Sequence, residues 1–192
     1  MNDEVIATLS RHRFRTYILA AGHERERAFA LHRWNAEIGA SFHLPIQCFE
    51  IALRNKLADV LHRQFGRRWF CDPIFLATLS LRSRSRIFQA QRRLAEGHGA
   101  AELVAGSSLG VWVALISERH LPLPSVVSDE FRLGAGRVLY LRNRIFHHEP
   151  IFKRDLLADY GLIMKLLYQL CPATHNWIRP HCRVPALVRQ KP

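Results

Sequence analysis

Ten consecutive residues, Leu141-Arg142-Asn143-Arg144-Ile145-Phe146-His147-His148-Glu149-Pro150, hold the groups needed to cut a phosphodiester without a metal. Histidine titrates near neutral pH and moves protons. Arginine presents a permanent planar cation to phosphate oxygens. The spacing is Arg142-Asn143-x-x-x-His147, with Arg144 and His148 as a second pair. The reaction to expect is transesterification within RNA. A base takes the proton from a ribose 2′-OH, the freed oxygen attacks the adjacent phosphorus, and an acid protonates the departing 5′ oxygen. His147 suits the base or the acid, Arg142 suits the charge that develops on the phosphorus oxygens, and Asn143 suits orientation of His147 or the phosphate. No cofactor and no metal is called for. The nucleophile is the ribose hydroxyl, so RNA is cut and DNA is spared.

Helical geometry constrains how these residues meet. Asn143 and His147 lie four apart and share a face, as do Arg144 and His148, while Val138, Leu141 and Ile145 form an apolar stripe for the core. Arg142 and His147 lie five apart, about 140° around a helix. They point in different directions, so one helix does not assemble the pair. A two-fold interface does, with Arg142 of one protomer meeting His147 of another at one phosphate. The plain alternative is a basic, solvated helix end, where Arg and His meet the negative pole of the macrodipole.

The rest of the chain is compatible with a nucleic-acid partner. Arg and Lys number 28 against 16 Asp and Glu, a net charge of +12. Only Lys56, Lys153, Lys165 and Lys191 are lysines, the other twenty-four being arginine. An arginine-rich, GC-rich genome accounts for that ratio but not for the sign of the net charge, which favours a polyanion such as RNA. A hydrophobic share of 48% in 192 residues indicates a folded domain. No apolar run reaches the ~18 residues of a membrane span, and Asn-Asp-Glu after Met1 is not signal-like, so a cytoplasmic location away from membranes is expected. Cys48, Cys71, Cys171 and Cys182 follow no regular spacing and are expected as free thiols.

Periodicity predicts an all-α protein. Ser10 is placed to cap a first helix ending at Gly22; others are expected at about 23–39, 41–65, 83–96, from Ser108 through Ile116, 137–148 and 152–170. A short segment is placed at 74–80, and breaks at 97–99 and at Leu121-Pro122-Leu123-Pro124. Gly134 and Gly136 are taken to precede the motif helix. The division expected is one helical domain over 1–171 and a Pro/Arg-rich, irregular tail over 172–192.

The string Leu-Arg-Asn-Arg-Ile-Phe-His-His-Glu-Pro-Ile resembles the bacterial Abi-like (abortive infection) branch of the HEPN ribonucleases, whose signature is R-x4-H. Glu50-Ile51-Ala52-Leu53-Arg54-Asn55, with Trp34-Asn35 upstream and Ser108-Leu109-Gly110-Val111-Trp112 downstream, resembles that family too, so the likeness covers about residues 14–188. Phe146 departs from it, standing where a small residue is usual, and the segment between His120 and Val138 is shorter. The resemblance implies a HEPN-like helical bundle, a homodimer with paired motifs, and a toxin or abortive-infection role with an antitoxin or a phage-derived trigger as partner. Two rivals stand beside it: a non-catalytic RNA-binding member, and an interaction module docking an acidic partner.

Supporting roles fall to His148, Arg144, Glu50 and Arg54. Arg144 suits a phosphate contact or a structural ion pair. Glu50 and Arg54 suit an i, i+4 salt bridge or a shell that orients the motif helix. Arg82, Arg84, Arg86, Arg92 and Arg93 crowd one helix and read either as an RNA-tracking face or as a solvated one. Arg11, His12, Arg13 and Arg15 form a smaller cluster of the same kind. Cys171, His175, His181 and Cys182 match no compact zinc spacing.

Overall fold

The computed structural model describes residues 2–92, 99–118, 121 and 127–192, and among them every regular element is helical. The chain opens with α1 (Asn2–Thr8), α2 (Arg11–Ala20), α3 (Arg25–Ser41) and α4 (His43–Phe65). α4 is the central helix. Its Phe49, Leu53, Leu57 and Leu61 recur every four residues and are all buried, one stripe of a helix about 35 Å long. Gly66 ends it at φ 77°, a conformation that costs a residue with a Cβ.

A 3₁₀ turn at Trp69–Cys71 leads to α5 (Pro73–Thr78), where the Asp72 carboxylate accepts from the Phe75 amide at 2.8 Å and Pro73 occupies the first turn. α6 (Leu81–Gln91), α7 (Ala100–Gly106) and α8 (Leu109–Ile116) follow. α8 is buried almost all round and packs on α4, with Trp112 6.2 Å from Trp69. Leu109 and Trp112 serve packing, as their pattern predicts.

The motif helix α9 spans Asp129–Phe146, eight residues more at its start than periodicity indicates. Ser128 accepts the Phe131 amide at 3.1 Å, and Asp129 and Glu130 sit in the first turn, where the macrodipole favours them. Gly134 is not a helix breaker here. A Cβ on it would lie 3.2 Å from Leu162 and Leu166, so its absence lets α9 approach α10 (Leu156–Leu170) closely. α10 packs on both α4 and α9, and this three-helix unit carries the motif.

After α10 come α11 (Pro172–Ile178), a 3₁₀ turn at Arg179–His181 and α12 (Val184–Val188). Prolines keep these pieces short. They are nevertheless anchored: Ile178 and Val184 are fully buried, Lys191 Nζ donates to the Phe152 carbonyl at 2.8 Å, and the buried Trp34 indole N–H donates to the Leu187 carbonyl at 2.8 Å. Trp34→Phe keeps an aromatic ring but loses the donor and part of the buried indole volume. It is expected to lower stability by about 1 kcal/mol, seen as a lower urea midpoint with an unchanged slope.

Three expectations about local structure are corrected. Ser10 sits before α2, but at φ 75° and without a capping bond, because it turns the chain out of α1. α1 and α7 had no separate signal in the sequence. The helix expected over 152–170 is α10, and it starts at Leu156, where Asp155 accepts the Ala158 amide at 2.9 Å, and not at Phe152. The basic helix runs over Leu81–Gln91 with Arg92 as its C-cap, starting two residues before the expected 83, and the expected breaks at 97–98 and 122–124 lie outside the described residues. No helix is long and apolar enough to cross a membrane among those residues.

Candidate nucleic-acid site at the end of the motif helix

Val138 and Leu141 are buried and fix the register of α9; Ile145 is half-buried beside Gly39 of α3. The helix stops at Phe146. His147 occupies the C-cap, its amide bonded to the Asn143 carbonyl at 2.9 Å, and His148 takes φ 55°. His147 thus keeps the helical i→i−4 bond to Asn143, whereas the chain leaves the helix at His148, whose amide bonds to the Ile145 carbonyl at 3.0 Å.

Arg142 faces α4. Its Nε lies 3.9 Å from Glu50 Oε2, and its guanidinium carbon sits 4.1 Å from the centre of the Phe146 ring. The Nε is buried without a hydrogen bond, so the guanidinium is held by charge and stacking alone. Glu50, Arg54, His43 and Phe146 line with it a cavity of about 250 Å³. The expected Glu50–Arg54 bridge along α4 gives way to contacts between helices. Glu50 turns to Arg142, and Arg54 Nη1 donates to the Ala105 carbonyl at 3.0 Å. Glu50 thereby helps to place the motif helix, whereas Arg54 ties α4 to α7.

His147 is exposed, and its ring makes no hydrogen bond or ion pair among the described residues; Asn143 is half-buried. His147 is not among the residues lining the cavity at Arg142. Arg144 is structural. Its Nη2 donates to the Pro150 carbonyl at 2.7 Å, its Nη1 to Tyr140 Oη at 3.1 Å, and it pairs with Glu149 at 3.2 Å. It clamps the turn that carries both histidines.

Asn35 closes the same turn from α3. Its Oδ1 accepts the Ile151 amide at 2.8 Å in a buried position. Only the resemblance pointed to Trp34-Asn35; the bond spans 116 residues and leaves no local signal. Asn35→Ala strands the Ile151 N–H. A loss of about 1–3 kcal/mol is expected in chemical denaturation, together with broadened His147 and His148 resonances.

A second cavity, about 660 Å³, lies on the α2–α3 side of His43 and Phe146, and His148 lines it. His32, on its wall, is held below its ordinary titration value by burial beside Phe14 and Tyr17, and burial pushes the Tyr17 hydroxyl up to about 12.

The basic helix is less uniform than its composition. Arg86 Nη1 is bonded to the Gly110 carbonyl at 2.6 Å and Arg84 is half-buried, whereas Arg82 and Arg92 are exposed. Arg93 lies outside the described residues. The four cysteines are free thiols. Cys171 caps α11 by accepting the Thr174 amide at 3.4 Å, and the Thr174 hydroxyl, which donates to the same sulfur at 3.1 Å, lowers its thiol pKa. Among the described residues no three His, Cys, Asp or Glu side chains are grouped to hold a metal. Compared with models of known protein families, with curated proteins and with solved structures, the chain matches none.

Proposed function

We propose that the chain is a metal-independent endoribonuclease that works as a homodimer, in the manner its R-x4-H string and its resemblance to Abi-like HEPN proteins suggest, and that it serves as an abortive-infection or toxin effector. The observation that carries the reading is the state of the two central residues. Arg142 is confined to a groove by Glu50 and Phe146 with an unsatisfied Nε, and His147 stands exposed at the helix end with its ring free. A phosphate oxygen arriving in the groove replaces a loose 3.9 Å ion pair by a charge-assisted hydrogen bond.

In this reading His147 of one protomer takes the 2′-OH proton or returns a proton to the leaving 5′ oxygen. Arg142 of the other stabilises the charge on the phosphorus oxygens. The bond formed is O2′–P and the bond broken is P–O5′, leaving a 2′,3′-cyclic phosphate. Asn143 orients the histidine or the phosphate. Arg82 and Arg92 extend the electrostatic track for the strand.

The test is incubation of the purified protein with RNA in EDTA, followed by mapping of the ends. Discrete cuts with cyclic-phosphate ends, blocked by a 2′-deoxy sugar at the scissile position, are expected. Salt-dependent RNA binding without cleavage at any pH would favour the non-catalytic rival instead.

A further inference from the structure

The cavity on the α2–α3 side of the motif lies outside the phosphate chemistry just described, and its lining is unlike the groove around Arg142. Phe14 and Tyr17, both buried in the core, form its floor, with the half-buried His32 ring edge-on to Tyr17 at 4.9 Å and the exposed rings of the rim left to offer faces for stacking. The rim is His148, in its left-handed turn, together with Phe146 and His43. Those last two rings, 6.1 Å apart, also line the Arg142 cavity, so the two spaces adjoin along one ridge. Phe146 thus stacks on the Arg142 guanidinium while contributing to the apolar space.

The polar groups there suit a neutral, planar, hydrogen-bonding ligand. The Asn35 oxygen is committed to the Ile151 amide, which fixes the orientation of the side chain and leaves its NH₂ as a donor without a partner among the described residues. Burial disfavours the charged forms of both His32 and Tyr17. Glu149, a carboxylate on the rim, is paired with Arg144, which offsets its charge. Arg13 adds positive charge at the mouth. A volume of about 660 Å³ falls within the ~300–1,000 Å³ usual for small-ligand sites.

We propose that this cavity receives an unpaired nucleobase of the bound strand, the one next to the phosphate at Arg142, stacked among the aromatic and imidazole rings and contacted on its edge by the Asn35 amide. The identity of that phosphate rests on the ribonuclease reading; the base site does not require that the strand be cut. Stacking and edge contacts are how single-stranded RNA is recognised elsewhere. Phe146, the residue that departs from the family pattern, then couples the two halves of one nucleotide site.

The experiment uses a 2′-deoxy-substituted, fluorescent RNA oligonucleotide, in which single abasic positions are placed along the strand, with the unmutated protein. One abasic position is expected to weaken binding roughly 5- to 150-fold, the worth of one stacked base. Ala36 and Ala40 are exposed helical positions that line the cavity, so Ala36→Trp or Ala40→Trp should fill it without entering the core. The filled variants should bind the intact strand as weakly as the wild type binds the abasic one, and be indifferent to the abasic position. Uniform binding of every abasic strand by the wild type overturns the proposal, and so do filled variants that keep full affinity. If RNA is cut normally while either of those holds, the base site fails and the nuclease stands. If no RNA is cut but one abasic position still weakens binding, the base site stands and the catalytic reading fails.

Discussion

Arg142→Ala and His147→Ala should each abolish most RNA cleavage while leaving the fold intact, and mixing the two inactive proteins should restore about a quarter of the wild-type rate. Loss of a general acid or base costs roughly 10²–10⁴-fold, and loss of one positioned charge roughly 10²–10³-fold. His147 is exposed, so its removal does not touch the core. Arg142 is half-buried beside Glu50, and Arg142→Lys keeps the charge while losing the planar stack on Phe146. The mixing result follows from symmetry. If each site takes Arg142 from one protomer and His147 from the other, a heterodimer of the two variants has one site with both defects and one with none. Heterodimers are half of a random mixture, so a quarter of the sites are whole. A site built within one protomer gives no rescue, and that outcome would sink the composite arrangement while sparing the two residues. Melting temperatures of both variants close to wild type are needed to read the result as chemistry.

The residues of the motif are easier to name from the sequence than the bounds of the helix that carries them. The apolar stripe Val138-Leu141-Ile145 is a property of a 3.6-residue repeat, and it recurs in three dimensions. The start of α9 was misplaced because Gly134 has two readings. A glycine signals a break when viewed locally, yet here it is the point of close contact with Leu162 and Leu166 of α10, far along the chain. The partners of charged residues were equally illegible. Glu50 and Arg54 satisfy the i, i+4 rule, worth only a few tenths of a kcal/mol, and contacts to Arg142 and to the Ala105 carbonyl prevail over it. Asn35 and the cavity it lines depend on helices α2 and α3 meeting the turn after α9, which no local pattern encodes. The apolar stripe of α4 carried the all-α assignment, whereas α1 and α7, seven residues each, were too short to show a period.

The turn bearing the histidines depends on a pair outside the motif, and breaking it should produce the largest stability loss of any single polar substitution considered. Asp159, in the first turn of α10, is 5% exposed and receives two hydrogen bonds from Arg154, at 2.7 and 2.8 Å. This two-point pairing is the strong form of a carboxylate contact. The Arg154 guanidinium in turn lies 5.4 Å from the Tyr140 ring, whose hydroxyl accepts from Arg144, which holds the Pro150 carbonyl. Arg154→Ala leaves a buried carboxylate without its cation. The expected cost is about 3 kcal/mol, at the low end for buried pairs because Arg154 keeps a quarter of its side chain exposed. For a chain of this size that lowers the melting temperature by about 6–12 °C. Arg154→Met combined with Asp159→Leu removes both charges, and should recover at least half of the loss, since the penalty comes from the unpaired charge and not from the missing bond. Additive losses in the double variant would refute that account. A recovered melting temperature with cleavage still depressed would locate the remaining defect in the chain of contacts from Tyr140 through Arg144 to the turn at His147.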